Sequence, residues 1–291
     1  MAFPPARGSH IVRSASSRQA GPRRTIQIVL HVHEWGALDA PPVVCLHGIT
    51  GHGRRFRKLA EERLSRRFRV LAPDLLGHGL SDWEPPWSMR AHPDAVVATL
   101  ERLGVGAARW IGHSFGGRLV MELIARDRAR VERAVLLDPA IWVPPPVALE
   151  RAEDERLERA FESEEEALQA RLAKGELLSH ARPLLEEDFR DHLVTHDDGR
   201  LRPRYLQSAV VTAFSEMAQT PPDFSSLDVP TLIVRGELSN VSPDALVDLY
   251  RDGIGELLEV VDVPGYHSPF WDAFDETAAA IDRFLLKDPR S

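Results

Sequence analysis

Residues 108–118, ARWIGHSFGGR, change character within a few positions. ARWIGHS (108–114) is a short, largely apolar run of strand type, and GGRLVMELIARDRAR (116–130) repeats at helical spacing. A chain that passes from strand to helix so abruptly must hold Ser114 on a tight, strained bend. Glycines two residues before and two after it leave room for neighbouring segments to pass close. Such a bend lifts the serine oxygen to the edge of a sheet. It also turns the positive end of the following helix toward that oxygen. Gly-x-Ser-x-Gly alone is a weak pattern; its strand–turn–helix setting gives it weight.

The rest of the chain supplies the setting. TIQIVLHVHEW (25–35) alternates as an antiparallel strand does, and PPVVCLHG (41–48) and RVLAPDLLG (69–77) read as strands buried on both faces. VERAVLLDPA (131–140), TLIVRG (231–236) and ELLEVVDVPG (256–265) complete the strand set. Helical periodicity appears at 56–68, 91–104, around 243–251 and at 271–286. Strands alternating with helices predict an α/β fold, a mostly parallel, doubly wound sheet covered on both faces. The alternation fails between 141 and 225. Residues 147–205 hold 16 acidic and 10 basic residues and almost no β-branched runs. This stretch is expected to be a helical cap inserted after the sixth strand, its charge a solvated helix face. The expected organisation is an extension without order at 1–24, a core of 25–140 and 226–291, and a cap at 141–225.

Length and charge exclude several classes. A chain of 291 residues buries a sizeable core without staples. A net charge of −8 argues against nucleic acid as the main partner. The single cysteine, Cys45, permits no internal disulfide and lies in an apolar strand run. No long apolar stretch predicts a membrane span. The first 33 residues carry five arginines and no acidic residue, but no apolar core of a secretory signal, so the cytoplasm is the expected location. His31 and His33 share one strand face. Two imidazoles at that spacing can ligate a metal, yet no third ligand of matching spacing follows, so no metal or other cofactor is expected.

Four segments in order, each at a strand end, resemble the α/β-hydrolase superfamily: LHGITG (46–51), PDLLGHGLSD (73–82), GHSFGG (112–117) and PGYHSPFWDAF (264–274). The resemblance implies Ser114 as nucleophile and His267 as general base. It also implies the backbone N–H groups of Ile49 and Phe115 as oxyanion donors. His47, Asp74 and His78 match positions that are structural in the family. The chemistry fits these types. A serine hydroxyl needs a base to take its proton, and histidine titrates near working pH.

The acid is less direct. In most of the family it follows the strand equivalent to TLIVRG, where this chain has Ser239 and Asn240. Asparagine cannot stabilise an imidazolium. Some members place the acid one strand earlier, which here means Asp138, and adjacent strands lie only ~4.8 Å apart. Asp138 is therefore the preferred acid. Glu237, an acid-to-amide change at position 240, and a Ser-His pair without a strong acid remain the alternatives.

Trp83, Trp87, Trp142, Phe270 and Trp271 cluster near the expected site loops. An apolar acyl or alcohol pocket under the cap would use Trp142, Phe270 and Trp271, although core packing explains each equally well. The expected reaction is hydrolysis of a small-molecule carboxylic ester through an acyl-enzyme, without nucleic acid or membrane as partner. Oligomeric state is left open. The alternatives are a carbon–carbon bond hydrolase, with Arg118 as the pocket arginine, a lactonase, and a receptor-like member with slow turnover.

Overall fold

The computed structural model describes residues 30–157, 159–174 and 177–287. The expected extension at 1–24, and residues 25–29 of the expected first strand, lie outside the described residues. Among the described residues nine strands occur in chain order: β1 (Val32–Trp35), β2 (Pro42–Leu46), β3 (Arg69–Pro73), β4 (Ala108–His113), β5 (Val131–Leu137), β6 (Leu193–Thr195), β7 (Leu201–Pro203), β8 (Thr231–Gly236) and β9 (Leu258–Val263). Seven of them form one sheet in the order β1-β3-β2-β4-β5-β8-β9. All pairings in it are parallel except β1 against β3.

Among the described residues these α-helices accompany the strands: α1 (Arg57–Glu62), α2 (Ala91–Arg102), α3 (Phe115–Arg126), α4 (Pro145–Arg156), α5 (Glu164–Leu172), α6 (Arg182–His192), α7 (Gln207–Met217), α8 (Asp244–Ile254), α9 (Pro269–Asp272) and α10 (Phe274–Leu285). Strand residues alternate between two apolar clusters, as the pleat requires. Val44, Trp110, Leu136 and Ile233 face the layer containing Leu119, Leu100 and Tyr250 of α3, α2 and α8. Val43, Cys45, Ile111, Val135 and Val234 face Leu59 of α1 and Ile281 and Phe284 of α10. The sheet is thus covered on both faces, as the near-continuous apolar runs predict.

Several expected boundaries move. The helix expected over 56–68 ends at Glu62 and gives way to a 3-10 turn at Leu64–Arg66. The final helix is two, broken at Ala273, whose ψ of 64° is not helical. Five strands of the described residues precede the insertion, one fewer than expected. The insertion is not wholly helical: β6 and β7 form an antiparallel pair within it.

The insertion is seated on the core at several places. His52 and Arg55 both hydrogen-bond Asp188 of α6, and Arg55 does so with two nitrogens at 2.9 Å each. Gly79 N–H donates to the Arg204 carbonyl at 2.8 Å, and Leu206 N–H to the Gly77 carbonyl at 2.7 Å. Asp272 accepts from Leu178 N–H at 2.9 Å. At the neck, buried Arg118 donates to the carbonyls of Ile141, where the insertion leaves, and of Gln219 and Thr220, where it returns.

Candidate active site

Register places the site. His113 pairs with Leu137, Leu137 with Val234, and Gly236 with Val263, so β4, β5, β8 and β9 end side by side. The next residues out, Ser114 and Asp138, leave their strands level with each other. Ser114 N–H donates to the Leu137 carbonyl at 3.1 Å, and the Ser114 carbonyl accepts from Ala140 N–H at 3.2 Å. The backbone on either side of Asp138 is therefore tied to the serine.

Ser114 has φ 54° and ψ −118°, outside the ordinary regions for an L-residue, as the tight bend demands. The flanking glycines are needed for close approach. A Cβ at Gly116 would sit 2.1 Å from the Leu46 carbonyl oxygen, and one at Gly112 would sit 2.5 Å from the Gly116 carbonyl oxygen. Gly48 brings the loop after β2 against the elbow, since a Cβ there would lie 3.0 Å from Ser114 Cβ. Ile49 follows in a turn closed by Gly51 N–H on the Gly48 carbonyl at 3.0 Å. Phe115 is fully buried as the first residue of α3.

His267 Nδ1 donates to Asp138 Oδ2 at 2.5 Å; the imidazole is 28% exposed and the carboxylate 0%. Asp138 has φ 41° and takes the Val234 carbonyl with its own N–H at 2.7 Å. Ser239 Oγ donates to the same Oδ2, also at 2.5 Å, and accepts from Val241 N–H at 3.2 Å. Glu237 and Asn240 are exposed. The structure thus brings together His267 and Asp138, and adds Ser239, which carried no role in the sequence. Its only sequence signal was its place in the loop after β8.

The loop carrying His267 is held from behind. His113 Nε2 donates to the His267 carbonyl at 2.7 Å, and the two rings lie 4.9 Å apart. Burial holds His113 neutral, far below the ordinary imidazole range, and the neighbouring His267 adds to the effect. Asp272 fixes the same loop by accepting from Tyr266 N–H at 2.8 Å. Phe270 lies edge-on to His113 at 5.1 Å and stacked on Phe56 at 5.4 Å. Phe270 and Trp271 are both buried in the core, so neither presents an open face. Trp142 is half exposed at the neck, its indole N–H on the Ala218 carbonyl at 3.3 Å.

His47 is committed at both ring nitrogens. Nδ1 donates to the Gly48 carbonyl at 2.8 Å and Nε2 accepts from Leu75 N–H at 2.9 Å. Burial pushes its pKa well down, so it stays a neutral strut between two loops. His78 Nδ1 donates to the Leu76 carbonyl at 2.9 Å, and burial lowers its pKa to about 4. Asp74 accepts from the N–H groups of Gly53 and Leu80.

Residues 41–274 match the α/β-hydrolase fold family, and the chain belongs to it. It is 35% identical over 261 residues to the lipase LipV of Mycobacterium tuberculosis, covering 87% of this chain and 97% of that protein. It is 33% identical over 257 residues to a 2-(acetamidomethylene)succinate hydrolase of Mesorhizobium japonicum, covering 82% and 84% respectively. A solved E-2-(acetamidomethylene)succinate hydrolase superposes with a TM-score of 0.78 at 27% identity, over 89% of this chain and 96% of that one. These likenesses support hydrolysis as the class of reaction. Among the described residues no helix is long and apolar enough to cross a membrane.

Proposed function

We propose that this protein is a serine hydrolase that cleaves a small carboxylic ester in the cytoplasm through an acyl-enzyme on Ser114, with His267 as base and Asp138 as acid. The observation that carries this reading is the 2.5 Å hydrogen bond from His267 Nδ1 to Asp138 Oδ2, beside an elbow that holds Ser114 at φ 54°. With Nδ1–H committed to Asp138, Nε2 is the nitrogen left to take the Ser114 proton. The serine oxygen then attacks the ester carbonyl carbon, and the carbonyl electron pair moves onto oxygen. The N–H groups of Ile49 and Phe115 receive that oxyanion, and one such donor is typically worth roughly 3–4 kcal/mol. Collapse breaks the bond to the alcohol oxygen, which leaves with the proton from Nε2. A water, deprotonated by the same nitrogen, attacks the acyl carbon and restores Ser114.

Residues 141–225 act as the cap in this proposal. Their seats on Arg55, on Gly77–Gly79 and on Asp272 support a position over the carboxyl ends of the strands. The proposal gives Phe270 and Trp271 no direct contact with substrate: both are buried, Phe270 backing His113 and Trp271 placing its indole N–H on the Arg55 carbonyl at 3.4 Å, while Trp142 lies at the neck. The carbon–carbon hydrolase reading loses its particular support, because the Arg118 side chain is spent on the neck carbonyls and Glu122. The receptor-like reading rests on the missing acid at position 240, and the Asp138 carboxylate beside His267 supports turnover in its place. The lipase likeness favours an ester.

Initial rates on p-nitrophenyl acetate and butyrate test the proposal. Turnover of at least about one per second, abolished in Ser114→Ala, is expected. Turnover below about one per minute that Ser114→Ala leaves unchanged would sink it.

A further inference from the structure

His31 and His33 share a strand face, and no third ligand follows them at matching spacing. The fold brings the third group from another element. β1 runs antiparallel to β3, with Val32 opposite Pro73 and His33 opposite Ala72. The ladder continues one step further, where Asp74 N–H donates to the His31 carbonyl at 2.9 Å. Among the described residues, His31, His33 and Asp74 form a group whose ligand atoms all lie within 4.8 Å of one another. We infer that these three side chains form a binding site for a divalent transition metal, with zinc the best fit and water in the fourth position.

The distances suit that ion. His33 Nε2 lies 3.2 Å from Asp74 Oδ1. Two ligands at about 2.0–2.1 Å from a tetrahedral zinc stand about 3.3 Å apart, so this pair needs almost no movement. The His31 ring stands edge-on to His33 at 4.6 Å and 76°, and its ligand atom already lies within 4.8 Å of the other two. Imidazole and carboxylate donors together favour zinc or its transition-metal neighbours over magnesium or calcium, which take mostly oxygen.

The frame around the three groups is already fixed. His31 N–H donates to Ser81 Oγ at 2.8 Å, and Ser81 Oγ donates to the Asp74 carbonyl at 2.5 Å. Gly53 N–H holds Asp74 Oδ1 at 2.7 Å and Leu80 N–H holds Oδ2 at 2.9 Å, the kind of support that orients a ligating carboxylate. Any side chain at Gly53 would strike His33, since a Cβ there would lie 2.8 Å from His33 Cδ2. Trp35 stacks on the same imidazole at 6.2 Å and 28°. The His33–Asp74 hydrogen bond alone would account for those two residues. It leaves His31 without a part, and the metal gives it one. An ion here would bind edge strand β1 to the 74–81 loop, so its effect is on stability and not on the chemistry at Ser114.

Zinc chloride titrated into the untagged full-length chain, followed by calorimetry and by thermal unfolding, tests the inference. One zinc per chain with a dissociation constant on the order of micromolar or tighter is expected, with a rise in Tm that grows with zinc concentration. His31→Gln should weaken binding by at least about tenfold, abolish most of the Tm rise and leave metal-free ester turnover unchanged. His33→Gln should do the same to binding. If it fails to fold, His31→Gln carries the test alone. Magnesium chloride should give no shift. Zinc binding of equal strength in His31→Gln, or no saturable binding below about 100 μM, overturns the site.

Discussion

The Ser239 hydroxyl donates to Asp138 Oδ2 at 2.5 Å, across 101 residues of chain. The loop after β8 thus supplies a neutral donor to the carboxylate at the end of β5, the residue proposed as the acid. The hydroxyl and the His267 imidazole both donate to that one oxygen, and in the proposed mechanism the carboxylate orients the imidazole and stabilises its charged form.

Removing that donor should therefore slow the reaction without changing binding. A hydrogen bond to a charged group contributes about 1.5–3 kcal/mol, so Ser239→Ala should lower kcat about 10- to 100-fold with KM nearly constant. Asn240→Ala should stay within about twofold, because Asn240 is exposed. Steady-state rates on p-nitrophenyl butyrate compare the two, and equal rates for Ser239→Ala and the native protein would refute the role.

Asp138→Asn should be far more severe. A neutral amide keeps the shape but favours the wrong imidazole tautomer, with a loss in kcat of about 10⁴ in a related catalytic arrangement. Glu237→Gln should stay within about twofold, since Glu237 is exposed. If the two variants exchange these outcomes, the acid lies on β8 and not on β5.

Arg118→Met should destabilise the fold. It removes the guanidinium donors from the carbonyls of Ile141 and Thr220 at a site only 1% exposed. The buried Ile141 carbonyl left unpaired costs about 1–3 kcal/mol, readable as a lower urea midpoint. An unchanged midpoint would mean that the neck is held by other contacts.

Stability should also fall in mild acid. His47, His78, His92, His113 and His192 are all buried with lowered pKa values, desolvation being the largest cause for each. Below about pH 6.5 the unfolded chain takes up these protons while the folded chain does not, so stability is full above that pH and declines beneath it. The decline continues to about 4 for His78 and about 3 for His92. Each histidine contributes a slope of up to about 1.4 kcal/mol per pH unit. Urea midpoints at pH 7.5, 6 and 5 should drop steeply, and a flat profile would contradict neutral burial of these rings.

The reach of the sequence differs between parts of the site. The elbow was legible because its determinants are local: Gly112, Ser114 and Gly116 lie within five positions, and the strand and helix around them have distinct periods. The sheet was legible for the same reason, since β2, β3 and β5 are continuous apolar runs. Asp138 could be reached by noting that its strand neighbours the usual one. Ser239 could not, because a hydroxyl at a loop position says nothing until β5 and β8 are known to end level. The His113 bond to the His267 carbonyl spans 154 residues and has no sequence signature at all. His31 shows the same limit: its possible partner Asp74 is fixed by antiparallel pairing, not by spacing.

Arg118 grips the chain both where it leaves the sheet at Ile141 and where it returns at Gln219–Thr220. The two ends of some eighty residues are therefore anchored to the helix that starts at Ser114. Such a segment is a closed detour. It can be shortened, exchanged or rebuilt between those two points while β5 still delivers Asp138 and β8 still delivers Ser239. A single guanidinium thus sets the two points between which the inserted stretch is free to differ in length without moving the strand ends of the core.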